Sequence, residues 1–208
     1  MHQKKPMKII GIAGGGGSGK STLAVNLCKK YPNLFSILHL DDYFRKIEEV
    51  PLFRDLPNFD HPEALKFEEL YQDARKLITG NLITIRTRGE LYNPEYNNTH
   101  KNKIEYTISP TPLLIIEGYL ALHNKKIRDL MDIKLYLDIP IEKTLERRTK
   151  FGNVFEGRDY FKEVLIPMHR QFVEPTREYA DLIIDVENID SEEVLDQAEK
   201  ALEALLHS

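Results

Sequence analysis

Residues 14–22 read Gly-Gly-Gly-Gly-Ser-Gly-Lys-Ser-Thr and satisfy the pattern G-x-x-x-x-G-K-[ST]. No other segment restricts the fold and chemistry of this chain so tightly. Glycines let the backbone take positive φ and turn successive N–H groups inward, so that the loop can wrap a phosphate. A helix beginning at Lys20 adds the positive end of its dipole to the same place. The pattern carries this meaning only between a strand and a helix, and both flanks comply. Met7–Ala13 (MKIIGIA) is a short β-branched run that reads as a buried strand, and Lys20 to about Tyr31, closed by Pro32, reads as a helix. Gly14, Gly15, Gly16, Gly17, Ser18, Gly19, Lys20, Ser21 and Thr22 are therefore expected to hold a nucleoside triphosphate. Lys20 would reach the β- and γ-phosphates, and the Ser21 hydroxyl would coordinate Mg²⁺.

The remaining pattern alternates strands with helices. Phe35–Leu40 (FSILHL), Leu113–Ile116 (LLII), Ile133–Leu137 and Leu182–Ile184 read as core strands. Helices are expected from Pro62 to Ile78, ended by Gly80, from Pro140 through Arg147 and Arg148, and after Asp190. Asp190 with Glu193 resembles a capping box ahead of the apolar face Val194, Ala198, Leu202 and Leu205. Leu82–Thr87 and Ile104–Ser109 alternate around an Asn-rich stretch and predict a long-looped β-hairpin outside the main sheet. The order predicts a three-layer α/β P-loop NTPase fold with a mainly parallel sheet, in one domain over 1–208. A small hairpin lobe at about 82–109 would cover the acceptor site, and a lid would occupy about 150–161.

Composition narrows the partners. Lys and Arg number 29 against 33 Asp and Glu, a net charge of −4, so the chain lacks the surplus of cations that general nucleic-acid binding needs. No apolar run approaches the roughly 18 residues of a membrane span, and the basic start MHQKKP lacks the apolar core of a signal peptide. The single cysteine, Cys28, excludes an internal disulfide and suits a reducing compartment, so a cytoplasmic location is expected. Cys28 reads as core filler, and the seven histidines lack metal-ligand spacing. His61 precedes Pro62 and reads as a helix cap.

GTPase switches, ATP-driven motors and small-molecule kinases all use such a loop. The Asn-Lys pair of Asn124-Lys125-Lys126-Ile127 has isoleucine where a guanine-reading N-K-x-D motif needs its carboxylate, and no motor signature is visible. A kinase needs a carboxylate near the γ-phosphate to take the acceptor's proton, and arginines for the transferring group. Asp41 stands at the end of the second strand, where doubly wound sheets place their ligands. Glu117 closes the LLII strand and is the expected second partner of Mg²⁺. Arg147, Arg148, Lys150 and Arg158 surround a glycine-punctuated stretch, Phe151-Gly152-Asn153 to Glu156-Gly157, the composition of a closing lid.

Taken together, GGGGSGKST (14–22), LDDYFR (40–45), NFDHPEAL (58–65), PEYNNTH (94–100), IIEGYLAL (115–122) and FVEPTREYADLIID (172–185) resemble the uridine kinase family of P-loop nucleoside kinases. The resemblance implies ATP and Mg²⁺ as cofactors and a nucleoside 5′-hydroxyl, most simply that of uridine or cytidine, as acceptor. It implies Asp41 as catalytic base, assisted by Lys20 and the lid-proximal Arg148, and Asp60 on the ribose hydroxyls. Tyr43, Tyr96, His100 and Arg158 complete the implied acceptor set, with Tyr96 and His100 facing the base. Three departures stand out. Tyr96 is followed by Asn97 and only later by His100, and Phe151 and Glu156 occupy usual arginine positions of the lid. The stretch from Gly157-Arg158 to Pro167-Met168 is compact and is similar to that of nicotinamide riboside kinases. Nicotinamide riboside or another small alcohol as acceptor therefore stays open, as does a nucleotide-binding regulatory protein without turnover. The sequence also leaves the oligomeric state open.

Overall fold

The apolar runs of the sequence become neighbours in one parallel sheet. The computed structural model describes residues 7–96, 102–148, 154–155 and 158–206, with 145–148, 154–155 and 158 described by their backbone alone. Strands β1 (Lys8–Gly14), β2 (Phe35–His39), and, later in the chain, the LLII, Ile133 and Leu182 segments form a five-stranded sheet. In chain order the short pair β3 (Leu52–Phe53) and β4 (Leu56–Pro57) comes next, then the hairpin β5 (Ile83–Thr87) and β6 (Ile104–Ile108), then β7 (Leu113–Glu117) and β8 (Ile133–Asp138). The short strands β9 (Val154–Phe155) and β10 (Arg158–Asp159) pair antiparallel within the expected lid, and β11 (Leu182–Asp185) completes the set. The sheet order is β11-β8-β1-β7-β2, every pair parallel, with the phosphate-loop strand in the centre. β7 is buried at all five positions, which is why it reads as an unbroken apolar run rather than an alternating one.

Helix α1 (Lys20–Lys30) lays Leu23, Ala24, Leu27 and Cys28 into the core, and burial pushes the Cys28 thiol up to about 12. Helix α2 (Phe67–Ile78) buries Leu70, Ala74 and Leu77, and the short α3 (Lys125–Arg128) packs against it. The expected helix start at Pro62 is corrected. Pro62–Ala64 forms a single 3₁₀ turn, capped by His61 Nδ1, which accepts the Glu63 N–H at 3.1 Å. Leu65 is then extended, because it bridges antiparallel to Phe44 and is buried there, and α2 begins only at Phe67. The hairpin forms in the expected place, pairing Ile83 with Ile108 and Thr87 with Ile104. β5 alternates buried and exposed residues, whereas β6 buries only Ile108.

Helix α4 (Ile141–Arg148) follows β8. Helix α5 runs through three segments, π over Phe161–Leu165, α over Ile166–Met168 and π over His169–Val173. Pro167 sits in its interior without an N–H to donate, and the widened turns accommodate the lost bond. The C-terminal helix α6 (Ser191–Leu206) packs on α1 through Val194, Ala198 and Leu202. Its capping box is present. Asp190 Oδ1 accepts the Glu192 and Glu193 N–H groups at 2.8 and 3.0 Å, and Glu193 Oε2 accepts the Asp190 N–H at 3.0 Å. Among the described residues no helix is long and apolar enough to cross a membrane. Asp190→Ala should lower stability by about 1 kcal/mol in urea titrations while Asp190→Ser retains most of it. Equal midpoints for the alanine variant and the wild type would deny the cap its energetic role.

Candidate active site

Three strands end side by side, and the register of their pairing builds the site. Glu117 of β7 lies opposite Ile12 of β1 on one side and His39 of β2 on the other. The loop leaving β1, the turn leaving β2 and the turn leaving β7 therefore open into one cleft at the carboxyl edge of the sheet. It encloses about 750 Å³ and is lined by Gly16, Gly17, Lys20, Ser21, Asp41, Asp60, Arg88 and Glu117, among others.

The phosphate loop turns sharply where β1 meets β8. Gly14 takes φ +138° and approaches the Leu137 carbonyl so closely that a Cβ would stand 2.2 Å from its oxygen. Gly17 and Gly19 also have positive φ, and Gly19 stands immediately before α1. Lys20 is buried, and its Nζ crosses the loop to donate to Gly15 O at 2.7 Å. Ser18 is buried as well. Thr22 is exposed beside a second groove of about 150 Å³, shared with Ser18, Gly19, Val186 and Ile189.

Ser21 and Glu117, 96 positions apart, meet where the sequence places Mg²⁺: Ser21 Oγ donates to Glu117 Oε1 at 3.0 Å. The same oxygen is 2.6 Å from His39 Nδ1. Both side chains of this second contact are almost fully buried. Burial alone would drive His39 towards neutrality, but the hydrogen bond and charge of Glu117 outweigh it and hold the imidazole above its ordinary 6.5. Burial likewise pushes Glu117 up, yet His39, Lys20 and Ser21 together hold it below its ordinary 4.5. The result is a carboxylate kept ionised next to a hydroxyl. These oxygen donors fit Mg²⁺, which takes one or two carboxylates and fills its octahedron with water and phosphate oxygens.

The adjacent acids at the end of β2 divide their duties. Both lie on the 3₁₀ turn Leu40–Tyr43. The Asp41 carboxylate lines the cleft, half exposed, and receives the Arg88 guanidinium at 2.6 Å. Asp42 points inward with 2 % of its side chain exposed, accepts the Arg88 backbone N–H at 3.1 Å and lies 3.7 Å from Lys103 Nζ. Asp42 thus fastens the hairpin lobe, and Asp41 is the acid that faces the cleft.

The Phe59–Asp60 turn, at the other side of the cleft, is pinned from two directions. Tyr160 Oη donates to Asp60 Oδ2 at 3.1 Å and accepts the Phe59 N–H at 3.0 Å. Tyr119, two residues beyond Glu117, donates to Phe59 O at 2.6 Å. Phe44 meets Phe59 edge-on at 5.7 Å and lies nearly parallel to Tyr119 at 6.4 Å, so an aromatic wall stands beside the Asp60 carboxylate. Tyr43 is not part of it. Its side chain is buried on the other side of the turn, where the hydroxyl donates to Asp73 of α2 at 3.1 Å, and its neighbours Phe44 and Arg45 face the cleft instead. Tyr96 is half-buried and hydrogen-bonds the Arg88 guanidinium. His100, Phe151 and Glu156 lie outside the described residues, as do the side chains of Arg148 and Arg158.

Helix α5 closes the cleft with Phe161, Leu165, His169 and Val173. A four-residue step overshoots one turn of α-helix and falls short of one turn of π-helix, so the mixed helix keeps all four on one side. His169 packs against the phosphate loop, with Cε1 3.1 Å from where a Cβ on Gly15 would sit. Burial holds its imidazole below the ordinary 6.5. Sequence reasoning assigned no role to His39, Arg88, Tyr119, Tyr160 or His169. One signal was available: His39 precedes Asp41 by two positions at a strand end, the spacing that puts two side chains on one face.

The sequence matches the profile of the Phosphoribulokinase / Uridine kinase family over residues 9–191. It is 35 % identical over 184 residues to a uridine kinase of Macrococcus caseolyticus, covering 85 % of this chain and 86 % of that one. A uridine kinase of Clostridium tetani is 36 % identical over 193 residues, covering 87 % of each chain. Among solved structures, a possible uridine kinase from Bacillus stearothermophilus superposes with a TM-score of 0.61 at 19 % identity, over 88 % of this chain and 91 % of that one. Phosphoribulokinase from Rhodobacter spheroides gives 0.58 at 16 % identity, over 89 % and 74 %. These two structures share the fold.

The buried His39–Glu117 contact makes stability depend on pH with a defined sign. Because His39 is raised, its contribution is complete below 6.5 and is lost as the pH climbs through its higher folded value. Because Glu117 is lowered, its contribution is complete above 4.5 and is lost as the pH falls through its folded value. His39→Gln should therefore show its largest loss of Tm near about pH 5.5 and a smaller one at about pH 9. A Tm deficit independent of pH would mean that His39 is uncharged in the folded protein.

Proposed function

Because the chain belongs to the Phosphoribulokinase / Uridine kinase family and is a P-loop kinase that phosphorylates an alcohol group, we propose that its reaction is transfer of the ATP γ-phosphoryl group to a nucleoside 5′-hydroxyl, with uridine or cytidine as acceptor. The observation that carries this reading is the Phe59–Asp60 turn. It presents a carboxylate, which suits a vicinal diol, one peptide bond away from an aromatic wall, which suits a planar base.

In this reading the loop glycines and Lys20 hold the triphosphate, and the groove beside Thr22 takes the donor's base. Ser21 and Glu117 would hold Mg²⁺, which when bound neutralises charge on the β- and γ-phosphates. Asp60 fixes the ribose so that its 5′-oxygen faces the phosphate loop. Asp41 accepts the hydroxyl proton as that oxygen bonds to the γ-phosphorus and the bond to the β-phosphate oxygen breaks, releasing ADP. The α5 face excludes water, which would otherwise compete as acceptor.

Nicotinamide riboside is the second reading, supported by the same wall of Phe44, Phe59 and Tyr119, since a cationic ring is attracted to aromatic faces. A coupled ADP-release assay across uridine, cytidine, nicotinamide riboside and pantothenate separates the candidates. Uridine or cytidine should give the highest kcat/KM, and Asp60→Ala should lower kcat/KM for every nucleoside by about 1.5–3 kcal/mol. A preference for nicotinamide riboside would select the second reading. ADP release indifferent to all four acceptors would refute nucleoside phosphorylation and favour a regulatory nucleotide-binding protein.

A further inference from the structure

Arg88 belongs to no part of the machinery described so far, yet it makes the shortest ionic contact to the cleft acid. Its guanidinium is 2.6 Å from Asp41 Oδ2, and Tyr96 hydrogen-bonds it as well. The delivery of this group is built rather than accidental. The end of the hairpin lobe runs back along the exposed edge of β2, and three contacts fasten it there. The Tyr92 hydroxyl accepts the Ile37 N–H at 2.7 Å. Gly89 lies so close over the His39 ring that a Cβ would stand 2.3 Å from Nε2. The Arg88 N–H donates to the buried Asp42 carboxylate. The lobe thus meets Ile37, His39 and Asp42 in turn along β2 and its exit.

None of the three fastenings uses the guanidinium. The lobe is held by a tyrosine hydroxyl, a glycine contact and a backbone amide, which leaves the charged end of Arg88 to engage Asp41, with Tyr96 as its second partner. As an ion pair it is a weak stabiliser, since 35 % of the Arg88 side chain and 49 % of the Asp41 side chain are exposed. Its value is geometric. A guanidinium is a planar fork whose N–H groups fix the direction of a carboxylate. In phosphoryl transfer through a loose transition state, the base orients the nucleophile more than it needs to be strongly basic, so a pairing that fixes its direction favours the reaction.

We propose that Arg88 is a positioning residue for the acceptor's base: it engages Asp41 Oδ2 and turns Oδ1 towards the attacking hydroxyl. The inference rests on the reading of Asp41 as base. It makes the hairpin lobe part of the catalytic apparatus, because the lobe sets the direction of the group that takes the proton.

The test compares wild type, Arg88→Ala and Arg88→Gln with whichever acceptor turns over in the panel above. Both variants should lose about 10–100-fold in kcat, with KM for ATP unchanged. Guanidinium chloride, far below denaturing concentrations, should restore part of the lost kcat in Arg88→Ala, while the same concentration of sodium chloride should not. Neither salt should raise the wild-type rate. A kcat within twofold of wild type in either folded variant would overturn the proposal, and so would a loss that guanidinium repairs no better than sodium. Near-ultraviolet circular dichroism identifies a misfolded variant, and the other then decides. Wild-type failure on nucleosides counts against the functional reading, whereas an unimpaired Arg88 variant counts against this inference alone.

Discussion

In-register parallel pairing of β1, β7 and β2 is the constraint on which the rest of the structure depends. It sets Glu117 between the strand that launches the phosphate loop and the strand that ends at the acid pair. From that single alignment follow the Ser21–Glu117 contact, the buried His39–Glu117 pair and the position of Asp41 over the same cleft. A slip of the pairing by one residue would turn every side chain of a strand to the opposite face. Both faces of β7 and β2 are buried, so such a slip would also break the close side-chain packing on each face, and the core stabilises the site's geometry as well as the fold.

A second layer of order comes from tyrosines acting on backbone groups. Tyr119 and Tyr160 hold the carbonyl and the amide of Phe59, and Tyr92 holds the amide of Ile37 on the open edge of β2. These contacts tie the Phe59–Asp60 turn to the chain just beyond β7 and to α5, and they tie the hairpin lobe to the sheet. Helix α5 in turn touches the Asp60 carboxylate through Tyr160 at its start and the phosphate loop through His169. The two halves of the cleft are thus joined by one helix, through a hydrogen bond at its start and close packing of His169 further along.

Much of this was legible in the sequence. The phosphate loop, the alternation of strands with helices, the hairpin and the capping box of α6 each rest on local chemistry within a few residues. The places of Glu117 and Asp60 in the cleft were legible too, Glu117 because a carboxylate closing an apolar strand stands out and Asp60 through the family resemblance of its NFDHPEAL segment. What stayed hidden depends on pairs distant in the chain. Arg88 reads as one more charge in a polar stretch until the lobe folds onto β2. Tyr43 and Phe44 are adjacent aromatics, and only the direction of the 3₁₀ turn decides that Phe44 faces the cleft while Tyr43 reaches Asp73. The break before α2 was hidden as well, since the bridge of Leu65 to Phe44 overrides a helical spacing that continues back to Pro62.

The site turns on the division between two adjacent acids, the first facing the cleft and the second fastening the lobe. Its most direct test sets Asp41→Asn beside Asp42→Asn, measuring ATP affinity by calorimetry and acceptor phosphorylation by ADP release. Asp41→Asn should bind ATP as the wild type does and lose about 10²–10⁴-fold in turnover, since the shape remains and the proton acceptor is gone. Asp42→Asn should lose stability first and turnover far less. A wild-type rate in Asp41→Asn, or the larger loss of turnover in Asp42→Asn at unchanged stability, would contradict the account.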